Sequence, residues 1–144
     1  MKRTFKLQVF SFFTLVFLAF IVYACSKGQE ESAMTKTQRM LSATWTLNKL
    51  TVDGTDQTAL FSAMTLSVTA GTYTSQHGEP VWPGSGTWKL DDATTITRDN
   101  DITVNIVTLD ETTLALSLQW TRTTFGNGRA NSISGQHIFE FRKN

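Results

Sequence analysis

Hydrophobic and polar residues change rhythm twice along this chain. From Leu7 to Val22 apolar side chains run with few interruptions. Residues 35–42 (TKTQRMLS) then suit one or two helical turns, with Thr35 as a cap and Met40 and Leu41 facing inward. From Trp45 onward the period is two, the mark of half-buried strands. Trp45 and Leu47 alternate with polar neighbours, the phase slips, and Leu50 and Val52 carry it on. A bulge near Asn48 and Lys49 accounts for the slip. Met64, Leu66 and Val68 form the next apolar face, and Tyr73 sits in a short strand beyond a turn at Ala70-Gly71. Trp88 pairs with Leu90, Ile96 centres a strand over 94–98, and Ile102, Val104 and Ile106 alternate. Leu114, Leu116, Leu118 and Trp120 give the clearest run, and His137, Phe139 and Phe141 close the series.

Turn signals stand between these runs: Asp53-Gly54, Asp91-Asp92, Asp99-Asn100, Asp110-Glu111 and a Gly126-Asn127-Gly128 tip. Residues 77–86 (HGEPVWPGSG) hold both prolines and read as loop. Strands this short, joined this tightly, leave no room for crossover helices, so sequential antiparallel pairing is expected. A meander of about eight strands tends to close, because closure removes exposed edges. The predicted fold is therefore all-β: an antiparallel up-and-down barrel of about eight strands with a short N-terminal helical turn. Its interior is just wide enough for side chains or one small ligand.

The first apolar run has a different meaning. Lys2, Arg3 and Lys6 precede it, and Val22-Tyr23-Ala24-Cys25 ends it, followed at once by polar residues. A positive segment, an apolar segment and a small residue before a cut define a secretory signal. The last four residues resemble a bacterial lipobox in Val22, Ala24 and Cys25, with Tyr23 the bulky exception. That resemblance implies removal of residues 1–24, acylation of Cys25 with chains such as palmitate, and an outer-membrane lipoprotein of a Gram-negative cell envelope. One acyl chain holds a protein only marginally on a bilayer; two or three hold it durably. The alternative, an uncleaved membrane span, is disfavoured by a run short of the ~20 residues needed to cross. No basic stop-transfer cluster follows it either. Residues 25–34 then form the lipidated cysteine and a polar tether, and residues 35–144 the domain.

Charge sharpens this picture. Three of the thirteen basic residues leave with the leader and none of the twelve acids does, so a formal +1 becomes −2. The remaining Lys and Arg residues are scattered, which gives no footprint for nucleic acid. Cys25 is the one cysteine, so neither an internal disulfide nor a cysteine metal site is available. No nucleophile–base pair, phosphate loop or metal-spaced cluster is visible, so no enzyme, cofactor or metal is expected.

On its residues the chain resembles the small lipocalin-like lipoproteins of Gram-negative bacteria. The carriers are Leu41-Ser42-Ala43-Thr44-Trp45-Thr46-Leu47, Met64-Thr65-Leu66 with Gly71-Thr72-Tyr73, and Gly86-Thr87-Trp88. Thr113-Leu114-Ala115-Leu116 and His137-Ile138-Phe139-Glu140-Phe141 complete them. Lipocalins open with Gly-x-Trp; here Ala43-Thr44-Trp45 holds the place, and Gly86-Thr87-Trp88 falls mid-chain. The resemblance implies a barrel that binds an apolar molecule and an arginine packed across Trp45, either Arg142 or Arg129.

Trp45, Tyr73, Trp88, Trp120, Phe139 and Phe141 would share the barrel's inner face. They make either a filled core or the wall of a pocket. If there is a pocket, Tyr73, Trp88, Trp120 and His137 are the ligand-binding candidates, because their polar tips need partners in an apolar wall. His77 reads as a solvated loop residue. Trp82, between Pro80 and Pro83, either folds back as a lid or stacks on a sugar. Two functions remain open: a membrane-anchored barrel for a small apolar or amphipathic ligand, or a filled scaffold that contacts an envelope protein or glycan. Cys25→Ala is expected to shift the protein out of the outer-membrane fraction; full retention there on fractionation would contradict the lipobox.

Overall fold

The computed structural model describes residues 31–126 and 129–144. Cys25 and the leader lie outside the described residues. The compact unit of the domain runs from Ser32 to Asn144. It opens with helix α1 (Ala33–Leu41), capped by Ser32, whose hydroxyl accepts the Thr35 amide N–H. The cap is thus three residues before the expected Thr35, because Ser32 offers the N-terminal amides the same hydroxyl acceptor one turn earlier.

The strands follow in order: β1 (Thr44–Val52), β2 (Thr55–Asp56), β3 (Thr65–Thr69), β4 (Thr72–Gln76), β5 (Ser85–Leu90) and β6 (Thr95–Arg98). Next come β7 (Ile102–Leu109), β8 (Thr113–Trp120), β9 (Thr124–Gly126), β10 (Arg129–Ser132) and β11 (Gly135–Lys143). Eight of them, β1, β3 to β8 and β11, pair antiparallel in sequence order, and β11 returns to pair with β1. The molecule is therefore a closed eight-stranded antiparallel β-barrel. β2 is a two-residue return beside the end of β1, and β9 with β10 makes a separate ribbon.

The seam between β1 and β11 runs from Trp45 opposite Lys143 to Val52 opposite His137, with one irregularity between Leu47 and Lys49. That is the expected bulge. It shifts β1 by one residue, so Trp45 before it and Leu50 and Val52 after it are all buried. Elsewhere strict alternation sorts the side chains: Leu66 and Val68, Tyr73 and Ser75, Ile96 and Arg98, and His137, Phe139 and Phe141 are all buried.

The two ends of the barrel differ. One end, the base, carries α1 and the short turns at 70–71, 91–94 and 110–112. There the Trp45 indole N–H donates to Leu41 O at 3.0 Å, locking the helix end over the core. Lys143, not an arginine, lies over the Trp45 ring, 5.9 Å from its centroid. Arg142 points the other way, its Nε donating to Asn48 Oδ1, and the Arg129 side chain lies outside the described residues. The other end, the mouth, carries the longer connections 53–64, 77–84 and 121–134. Its first connection includes a 3₁₀ turn, Thr58–Phe61, that buries Phe61.

Asp-x-Thr turns recur at strand ends. Asp56, Asp92 and Asp110 each accept both the amide and the hydroxyl of the threonine two residues on. Those bonds hold each carboxyl below the usual carboxylate range. These three acids are thus turn chemistry. Trp45→Ala removes a fully buried ring and its bond to α1, and is expected to cost about 3–5 kcal/mol in denaturant unfolding. A loss within experimental error would show that the base does not depend on Trp45.

Candidate functional site

Inside the barrel the base half is apolar and the mouth half is not. Leu41, Trp45, Val68, Leu114 and Phe141 fill the base. Toward the mouth, the inner face holds Ser75, Arg98 and His137, all buried, together with Trp82 brought in from the 77–84 loop. Trp82 is only 4% exposed. Its ring packs edge-on against Tyr73 at 5.4 Å and Phe139 at 6.2 Å between centroids. The loop comes this close because Gly78 has no side chain: a Cβ there would lie 2.8 Å from Trp82 Cβ and collide with Ser75 Oγ. Trp82 is thus a plug rather than an exposed stacking platform.

Arg98 is the residue that sequence reading passed over. It ends β6 with 1% of its surface exposed. Its guanidinium carbon lies 4.4 Å from the centroid of the Trp82 ring, a cation–π contact. Asp99 Oδ2 forms an ion pair with Arg98 at 3.3 Å from Nε, outside hydrogen-bond geometry, so neither Nε nor Nη1 has a hydrogen-bond acceptor. Asp99 is engaged elsewhere: it accepts the Tyr73 hydroxyl at 2.7 Å and the Thr87 amide at 2.9 Å. Gly86, opposite Tyr73 in the sheet, makes this possible, since a Cβ there would sit 2.6 Å from the phenol ring. Burial pushes the Arg98 pKa down, against the pull of Tyr73 and Asp99. Burial, then the bond to Asp99, push the Tyr73 phenol up.

A small cavity of about 20 Å³ lies among Leu66, Tyr73, Trp82, Trp88, Arg98 and Leu116, roughly room for one water-sized sphere. Of the four sequence candidates, Tyr73 and Trp88 line it, while Trp120 and His137 do not. The Trp88 indole is satisfied by Thr69 O at 2.8 Å and Thr72 O at 3.1 Å. Trp120 is half-buried near the mouth and donates to Ser132 Oγ at 3.2 Å. His137 is fully buried and stacks on Phe139. Its Nδ1 lies 3.0 Å from Gly135 O, a carbonyl that can only accept, so the ring is protonated there. Nε2 is left as a bare lone pair with no donor.

Outside the plug lies a polar cleft of about 370 Å³ between the 3₁₀ turn and the loop, walled by Leu60, Ser62, Ser75, His77, Glu79 and Gly84. Ser75 belongs to both sides: it is buried on the inner face and lines the cleft. Cleft and interior are therefore separated by the 77–84 loop. Among the described residues, no group of three or more His, Cys, Asp or Glu side chains is placed to hold a metal.

The buried imidazole has a pH consequence. Burial lowers the His137 pKa from its ordinary 6.5, opposed by the Gly135 carbonyl and the field of Asp53. Between the lowered value and 6.5 the unfolded chain therefore binds more protons than the native one, and stability falls as pH falls. Urea unfolding free energy is expected to drop below about pH 6.5, with His137→Gln removing most of that slope. A profile of the unsubstituted protein that stays level from pH 7 to 5 would contradict a buried neutral His137.

No family model matches the chain, and a search of curated proteins finds no match either; the barrel and the geometry of its interior are the ground on which function is argued.

Proposed function

We propose that this chain is a lipid-anchored, lipocalin-like barrel of a Gram-negative envelope, moored to the outer membrane through Cys25. In this reading it is a binding protein rather than an enzyme, and it takes a small apolar or amphipathic molecule into the mouth half of its interior. One observation carries the ligand reading. Ser75 Oγ, Trp82 Nε1, Arg98 Nε, Arg98 Nη1 and His137 Nε2 are all buried without a hydrogen-bond partner, and all belong to side chains packed inside the mouth half. Native interiors pair nearly all such atoms, and each unpaired one costs about 1–3 kcal/mol. A barrel selected only as a scaffold would gain stability by replacing these four side chains with apolar ones. A ligand entering past the loop supplies what they lack.

The rival reading, a filled scaffold with a protein or glycan partner, is favoured by the small cavity. At about 20 Å³ it is far below the 300–1,000 Å³ of a typical small-molecule pocket. The two readings divide on Trp82. If the indole is a displaceable plug, its removal opens volume in contact with the polar cleft; if it is core, its removal only destabilises. Tryptophan emission of the protein titrated with fatty-acid, retinoid and haem-like probes is expected to saturate with at least one of them. Trp82→Ala is expected to bind that probe several-fold more tightly. Silence across the panel in both proteins would favour the scaffold.

A further inference from the structure

Arg98 calls for a ligand of a particular charge. A guanidinium does not give up its proton in a protein, so burial leaves a full cation inside the barrel. A buried cation is tolerable only when opposite charge and hydrogen bonds surround it. Asp99 supplies charge alongside, but both its oxygens already accept other donors, and it does not take the Nε hydrogen. The face above the guanidinium is filled by the Trp82 ring. That ring attracts a cation through its quadrupole, but offers no lone pair to Nη1. The indole's own N–H also lacks an acceptor. Two buried donors, on side chains in contact, thus lie beside a small apolar cavity lined also by Leu66, Trp88, Ile96 and Leu116.

We infer that Arg98 anchors the anionic head of an amphipathic carboxylate, and that Trp82 holds the head's place until the ligand displaces it. The inference rests on the ligand reading above and deepens it. A carboxylate brings two acceptor oxygens to a guanidinium, the strongest common pairing for that group. A carboxylate brings one negative charge, the least an anionic head can add beside Asp99. A dianion such as phosphate would add twice that charge beside Asp99. Asp99 itself is one-third exposed and is screened by solvent, whereas Arg98 is sealed within. The tail would lie along the apolar walls below. Access would be past the 77–84 loop, whose turn is closed by the Trp82 amide donating to Gly78 O at 2.7 Å.

The test compares octanoate, octan-1-ol and octylamine on the full-length protein in non-ionic detergent, read by Trp emission. Octanoate is expected to bind at least tenfold more tightly than the alcohol, and the amine not at all. Arg98→Met is expected to erase the acid's advantage while leaving alcohol binding intact, and Arg98→Lys to keep part of it. Equal affinity for acid and alcohol in the unsubstituted protein would overturn the role of Arg98 and leave the ligand reading standing; this comparison needs no variant. Binding of none of the three would overturn the role of Arg98, and silence across the wider probe panel as well would overturn both. Preference for the amine would make Asp99 the anchor instead, and an undiminished acid preference in a folded Arg98→Met protein would likewise exclude Arg98.

Discussion

The pairing of β1 with β11 is the constraint on which the rest depends. Without it the meander would be an open sheet with two bare edges, and the inner face would be one side of a sheet rather than an interior. With it, parity along each strand decides what is enclosed. The seam tolerates the bulge between Leu47 and Lys49, and that bulge lets one strand present Trp45 to the base and Val52 to the mouth. Closure therefore fixes the core and commits Arg98 to the inside.

From closure follows a division of labour between the two ends. The base is built for stability: apolar side chains, an indole bonded to the end of α1, and tight turns. The mouth is built at stability's expense, with polar atoms that the barrel itself does not satisfy. In the proposed reading, those atoms are where a ligand is met. The 77–84 loop stands between the polar interior and the polar cleft, and Trp82 is the side chain through which that loop is fastened.

Much of this was legible from the residues. Period-two alternation located the barrel strands, the slip after Leu47 located the bulge, the lack of crossover segments implied a sequential meander, and its exposed edges implied closure. Trp45 at the start of the first strand was legible as core. Arg98 was also within reach: with Ile96 inward, parity puts Arg98 inward too. Buried arginine is rare, and parity alone does not single one out. The same parity separates Lys143, in phase with Phe139 and Phe141, from Arg142, which is why the lysine reaches Trp45. Trp82 was different. A loop has no period, so its burial depends on the approach that Gly78 permits. Nor does period two give height along the barrel, which is why Trp120 and His137 were grouped with Tyr73 and Trp88 although they do not line the cavity.

The central claim is that the mouth opens around Trp82 while the base stays closed. Indole N–H exchange, followed by NMR under native conditions, separates the two directly. The Trp45 indole, bonded to Leu41 O, should exchange only on global unfolding. The Trp82 indole, buried but without an acceptor, should exchange orders of magnitude faster through local opening. Equal, slow exchange of both indoles would mean that Trp82 is permanent core and that the barrel does not open.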